Sequence, residues 1–103
     1  MTERHVITLR GEIDYSIVQG LKEHLLAEVD AAQADLVVVD LTGVTLMDST
    51  GLGMLVALYK RQHARGAGIA LSGAPLSVVK LLHVTGLDAV LPLLEAGPPP
   101  ART

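Results

Sequence analysis

Leu36-Val37-Val38-Val39-Asp40-Leu41 is a β-branched run without polar alternation. That is the pattern of a strand covered on both faces by helices in a parallel sheet, and it marks the centre of the fold. Upstream, Val6, Thr8 and Arg10 alternate with Ile7, Leu9 and Gly11, which predicts a short strand over 6–10, near a sheet edge, closing at Gly11. Glu12-Ile13-Asp14 reads as an acidic turn. From Ser16, a suitable helix cap, Ile17, Leu21, Leu25, Val29 and Ala32 recur at helical spacing while Lys22, Glu23 and Glu28 are turned elsewhere.

Downstream, Thr42-Gly43 and a short apolar connection, Val44 to Met47, deliver the chain to Asp48. Leu52, Leu55, Val56 and Tyr59 then predict a second helix, ending near Gly66 and Gly68 after Lys60, Arg61, His63 and Arg65, whose charge suits the negative helix end. Ile69-Ala70-Leu71 makes another short strand, and Gly73-Ala74-Pro75 leads into a third helix with Val78, Val79 and Leu82 on its apolar face. Gly86 stops that helix, Asp88 to Leu91 supply a last short strand, and Pro92 weakens its continuation as a central one. The alternation of strands and helices predicts an α/β domain: a mostly parallel central sheet flanked by helices, with right-handed crossovers.

The chain has 103 residues, the length of one domain with one modest core. The expected division is a domain over 1–95 and a flexible tail over 96–103 containing Gly97-Pro98-Pro99-Pro100. Phe and Trp are absent and only Tyr15 and Tyr59 are aromatic, so aliphatic residues must build the core. Few platforms for base stacking and a formal charge of −3 argue against direct nucleic-acid binding. With no Cys there are no disulfides and no thiolate metal sites. Met1 to His5 are not an apolar signal core and no apolar stretch approaches membrane-spanning length, so the expected location is the cytosol, with no membrane partner.

The chemistry concentrates in Asp48-Ser49-Thr50-Gly51-Leu52-Gly53, where the chain enters a helix. A helix start exposes unpaired N–H groups and the positive end of the peptide dipole, so it tolerates an added anion, and the hydroxyls make the site a candidate phosphorylation switch. Helix capping by itself also accounts for an Asp-Ser-Thr cluster. A nucleophilic Ser49 with Asp40 or Asp48 as carboxylate partner lacks the elbow pattern, because Met47 rather than Gly precedes it by two, and none of the four histidines sits in a context that makes it the base. Gly51-x-Gly53 carries neither the dinucleotide fingerprint nor a phosphate-loop ending, and the histidines lack metal-ligand spacing. Gly51 and Gly53 in the first turns of a helix suggest a close backbone approach, by a nearby loop or by a partner.

These residues resemble a family. Gly11-Glu12-Ile13-Asp14, the Val37–Asp40 strand, Met47 to Gly53, and the later Pro75, Leu82 and Gly86-Leu87 look like a STAS-domain anti-sigma-factor antagonist over nearly the whole folded chain. The resemblance implies partner switching. The unmodified protein binds an anti-sigma factor that is also a serine kinase, releasing sigma factor; phosphorylation ends the binding, and a phosphatase restores it. The usual phosphoacceptor maps onto Ser49, with Thr50 as secondary candidate, and Glu12, Asp14, Asp48 and Gly51 lie on the expected recognition surface. No cofactor or metal is expected on this chain, because the kinase supplies ATP and Mg²⁺.

Met54, Leu58 and Arg61 fall opposite the expected core face of the second helix, as a protein-binding stripe or as packing against another part of the domain. Two departures from the family pattern are expected: no additional strand before Val6, and no terminal helix after Leu94. An exposed edge or a homo-oligomer contact would follow. Two other readings are a stressosome-like STAS scaffold that assembles with copies of itself, and a small-ligand or nucleotide-binding domain using backbone groups near Gly51.

Overall fold

The computed structural model describes residues 3–94. The apolar run at 36–41 forms the first half of a longer strand, β2 (Leu36–Met47), which pairs in parallel with β1 (Arg4–Ile13) on one side and β3 (Gly68–Ser72) on the other. A two-residue strand, β4 (Leu93–Leu94), completes a parallel sheet in the order β1-β2-β3-β4. The crossovers are helices α1 (Tyr15–Ala32), α2 (Ser49–Ala64) and α3 (Leu76–Thr85). The predicted last strand at 88–91 is instead a 3₁₀ turn, Leu87–Ala89, and pairing begins only after Pro92, whose carbonyl accepts from Leu71 N–H at 2.8 Å. Pro lacks an N–H but keeps its carbonyl, so it can stand at the head of an edge strand.

Sequential order with right-handed crossovers carries every helix to the same face of the sheet. Burial agrees: Ile7, Leu9, Val37, Val39, Leu41, Ile69 and Leu71 form one core with Leu25 and Val29 of α1, Leu55 and Leu58 of α2, and Val78 and Leu82 of α3. Val38 and Ala70, aligned with Val6 across the strands, point the other way and lie outside that cluster, although both are buried and only Val6 is exposed. The expectation of helices over both faces is therefore corrected. β2 lacks polar alternation although only one of its faces meets the helices.

β2 also absorbs the segment expected to be a connection. Two register shifts relative to β1 each place an extra residue in β2, one between Asp40 and Gly43 and one between Val44 and Leu46. The residues that face the helix-side core therefore change from every second position, Val37, Val39 and Leu41, to every third, Val44 and Met47, a spacing that does not read as a strand. At the first bulge Asp40 Oδ1 accepts from Thr42 N–H at 2.9 Å and from Thr42 Oγ1 at 2.6 Å. The Thr42 hydroxyl, its backbone amide and the Arg10 charge hold the Asp40 carboxyl below its ordinary value.

Helix α1 starts at Tyr15 under an Asp14 cap, two residues earlier than the expected Ser16 cap, and its buried face is Val18, Leu25 and Val29. Ile17, expected in that face, is exposed. At the far end of the sheet α2 buries Gln62 completely. Its Nε2 donates to Ala34 O at 3.1 Å and Gly68 O at 2.9 Å, and its Oε1 accepts from Arg65 at 2.8 Å, so every polar atom is satisfied. Gly86 ends α3 at φ 77°, as predicted. The tail at 96–103 and the expected lack of a terminal helix fall outside the described residues. No helix among the described residues is long and apolar enough to cross a membrane.

Candidate functional site

All strands of a parallel sheet end on one edge, and here β1 and β2 end side by side, with Ile13 opposite Met47. One residue follows each strand before its helix begins: Asp14 before α1 and Asp48 before α2. Both aspartates have extended backbones and cap their helices with the side chain. Asp14 Oδ1 accepts from Ser16 N–H at 3.1 Å, Ser16 Oγ at 2.8 Å and Ile17 N–H at 3.3 Å. Asp48 Oδ1 accepts from Thr50 N–H at 3.0 Å, Thr50 Oγ1 at 2.6 Å and Gly51 N–H at 3.1 Å.

Asp48 does more than cap its own helix. Its Oδ2 accepts from Tyr15 N–H at 3.2 Å, so one carboxylate ties the starts of both helices together. The Thr50 hydroxyl, the Gly51 amide, and then the Thr50 and Tyr15 amides hold its carboxyl below the ordinary value, against the smaller opposing effect of desolvation. At neutral pH it is an anion that accepts four hydrogen bonds, three at Oδ1 and one at Oδ2.

This arrangement separates the two candidate hydroxyls. Thr50 is half-buried and donates to Asp48, whereas Ser49, the first helical residue, is exposed, and its hydroxyl makes no hydrogen bond among the described residues. Gly51 is buried because α2 starts against β1 and β2: a Cβ there would stand 2.8 Å from Met47 Cγ and 3.0 Å from Ile13 O. The close approach read from the glycines is thus met at Gly51 by the protein's own strands. Gly53 is exposed, with nothing within 4 Å of where its Cβ would be.

Glu12, Asp14, Asp48, Ser49, Thr50 and Gly51 converge on this edge of the sheet. Glu12 and Ile13 belong to β1 rather than to a turn, and Ile13 is buried. The stripe of Met54, Leu58 and Arg61 does not form an exposed surface: Met54 is 1% and Leu58 0% exposed, and Arg61 pairs with Asp30 of α1. Helix α2 packs on the sheet with one side and on α1 with another, so its apolar arc is wider than a single face. The exposed apolar residues near the site are instead Tyr15, Ile17 and Leu46.

The histidines lie elsewhere. His5 pairs with Glu28 at 2.6 Å near the opposite end of β1, and His83 pairs with Asp88 beyond α3. His63 stacks on Tyr59 near the end of α2, about 20 Å along the helix from Ser49. Among the described residues no group of three or more His, Asp or Glu side chains is placed to hold a metal ion.

Comparison with known proteins agrees with this geometry. Residues 2–95 match the family model described as "Mlab, STAS domain". An anti-sigma-B factor antagonist from Listeria monocytogenes is 35% identical over 91 residues, spanning 87% of this chain and 78% of the relative. The anti-sigma factor antagonist SpoIIAA in its unphosphorylated form superposes with a TM-score of 0.79 at 21% identity, covering 94% of this chain and 83% of that one. The phosphorylated form of the Bacillus cell fate determinant SpoIIAA gives a TM-score of 0.72 at 20% identity, covering 94% and 86%. An aspartate-capped helix pair with one free serine, on a singly wound parallel sheet, is thus set in a chain that belongs to the STAS-domain family of anti-sigma-factor antagonists.

Proposed function

We propose that this chain is a partner-switching antagonist of an anti-sigma factor, active when unmodified and switched off by phosphorylation of Ser49. The observation that carries the assignment is the contrast between a free, exposed Ser49 hydroxyl and a Thr50 hydroxyl committed to Asp48 at 2.6 Å. The names of the relatives support an anti-sigma factor as partner. The existence of unphosphorylated and phosphorylated forms of SpoIIAA supports a phosphate as the switch.

In the transfer, Ser49 Oγ attacks the γ-phosphorus of ATP held with Mg²⁺ by the kinase. The bond to ADP breaks, and the serine proton passes to a base of the kinase. This chain is the substrate, binds no cofactor of its own and performs no catalysis. The new group brings a charge of about −1.5 to −2 and lies beside a helix start, which accommodates it without unfolding. It also lies beside Asp48, Asp14 and Glu12, so the repulsion falls on the docking surface, and a loss of roughly 3 kcal/mol weakens the complex about a hundredfold. A phosphatase reverses the change.

The test is to incubate the protein with the purified anti-sigma kinases of its source genome, ATP and Mg²⁺, and to map the modified residue by mass spectrometry. Phosphate at Ser49, abolished by Ser49→Ala with partner binding intact, is the expected result. Phosphate elsewhere, unaffected by that substitution, removes the assignment.

A further inference from the structure

One turn beyond Ser49, α2 carries a glycine whose role the fold does not explain. Gly51 is required internally, because a Cβ would collide with the strands, but a Cβ at Gly53 would meet nothing within 4 Å. Glycine inside a helix is less stable than alanine, so this position gives up helix stability without any gain in packing. What the missing side chain does is leave open a groove of about 830 Å³ between α1 and α2, lined by Tyr15, Val18 and Lys22 on one side and Thr50, Gly53 and Met54 on the other. Val18 and Met54 are buried, while Tyr15 is among the exposed apolar residues nearest Ser49.

We infer that this groove is the specificity pocket for the kinase that modifies Ser49, and that Gly53 is bare so that an apolar side chain of that kinase can enter. The inference rests on the function proposed above. The occupant follows from continuity of the surface. Residues four apart on a helix stand side by side, so a protein whose active site reaches Ser49 must lie over Gly53. Thr50 and Tyr15, which line the groove, are also the residues that Asp48 holds at the phosphoacceptor site. An apolar floor of Val18, Leu26 and Met54, under a polar rim that carries Gln19, Lys22 and Glu23, lies beside the free hydroxyl and suits a protein that anchors one side chain in order to present another group to the serine. Lys22 on the rim leaves room for a polar contact at the mouth.

Filling the groove separates stability from recognition. Gly53→Ala should raise the melting temperature by about 4 °C through helix propensity, and Gly53→Leu should leave the fold intact because the position is open. Gly53→Leu should nevertheless weaken binding of the unphosphorylated protein to its anti-sigma kinase at least about tenfold and slow phosphorylation of Ser49 in parallel, with Gly53→Ala between it and wild type. Circular dichroism and thermal melts verify the fold of each variant, and titration calorimetry with the purified kinase and ADP reads the affinity. Equal affinity for wild type and a folded Gly53→Leu overturns the groove assignment while leaving the Ser49 switch standing. Failure of wild type to bind or be phosphorylated by every anti-sigma kinase of its genome removes the switch and the groove together.

Discussion

Helices α1 and α2 begin in nearly the same way, and the residue in which they differ is the informative one. Each follows its strand after a single aspartate, whose Oδ1 gathers a backbone N–H and a hydroxyl two residues on, Ser16 in one case and Thr50 in the other. Capping is therefore complete in both helices without the residue in between. At α1 that residue is Tyr15, whose hydroxyl accepts from Gln19 at 2.9 Å. At α2 it is Ser49, free and exposed. A cap explains Asp48 and Thr50 but leaves Ser49 unexplained, and a phosphoacceptor role supplies the missing reason.

The largest effect that can break this comparison is in modification. Ser49→Ala should reduce kinase-dependent phosphate incorporation more than a hundredfold, whereas Ser16→Ala at the sister helix should leave it unchanged, as read by phosphate transfer and peptide mapping. Ser49→Asp, with one charge in place of nearly two, should weaken partner binding about tenfold, less than the full modification.

Packing gives the next effect. Gly51→Ala forces a Cβ against Met47 and Ile13 and should cost about 2 kcal/mol in denaturant unfolding, although alanine is the better helix former. Next comes pH. Because the folded carboxyl of Asp48 is held below its unfolded value, its stabilisation is complete above the unfolded value near pH 4 and is lost as pH falls through the folded value. Thermal melts of wild type and Asp48→Asn should therefore differ at pH 7 and converge as pH falls through the folded value. The smallest effects are those of the capping hydroxyls: Thr50→Val and Ser16→Ala should each cost about 1 kcal/mol, and a much larger loss for Thr50 would mean that its helix start carries more than capping.

Most of the site was legible in the sequence because it lies on a chain reversal, where Asp, Ser, Thr and Gly have few interchangeable reasons to be together. The central strand and the glycine stop of α3 were legible for the same kind of reason, since β-branched runs and left-handed caps are local preferences. What failed depended on neighbours. The bulges of β2 changed the spacing of its core-facing residues from two to three, so Val44 and Met47 read as a connection. Met54 and Leu58 stayed open between a binding stripe and internal packing because periodicity cannot identify the covering element, and their burial decides for packing. Asp14 and Ser16 are both good caps, and only the position of the first helical turn chooses between them. Gln62 gave no signal at all, because its partners are backbone carbonyls and an arginine assembled by the fold.

The central claim is most directly tested by preparing the protein unmodified and fully phosphorylated at Ser49, then titrating each with the same purified anti-sigma kinase. The account predicts that the phosphorylated form binds about a hundredfold more weakly while both forms melt as folded domains. Equal affinities for the two forms would contradict it.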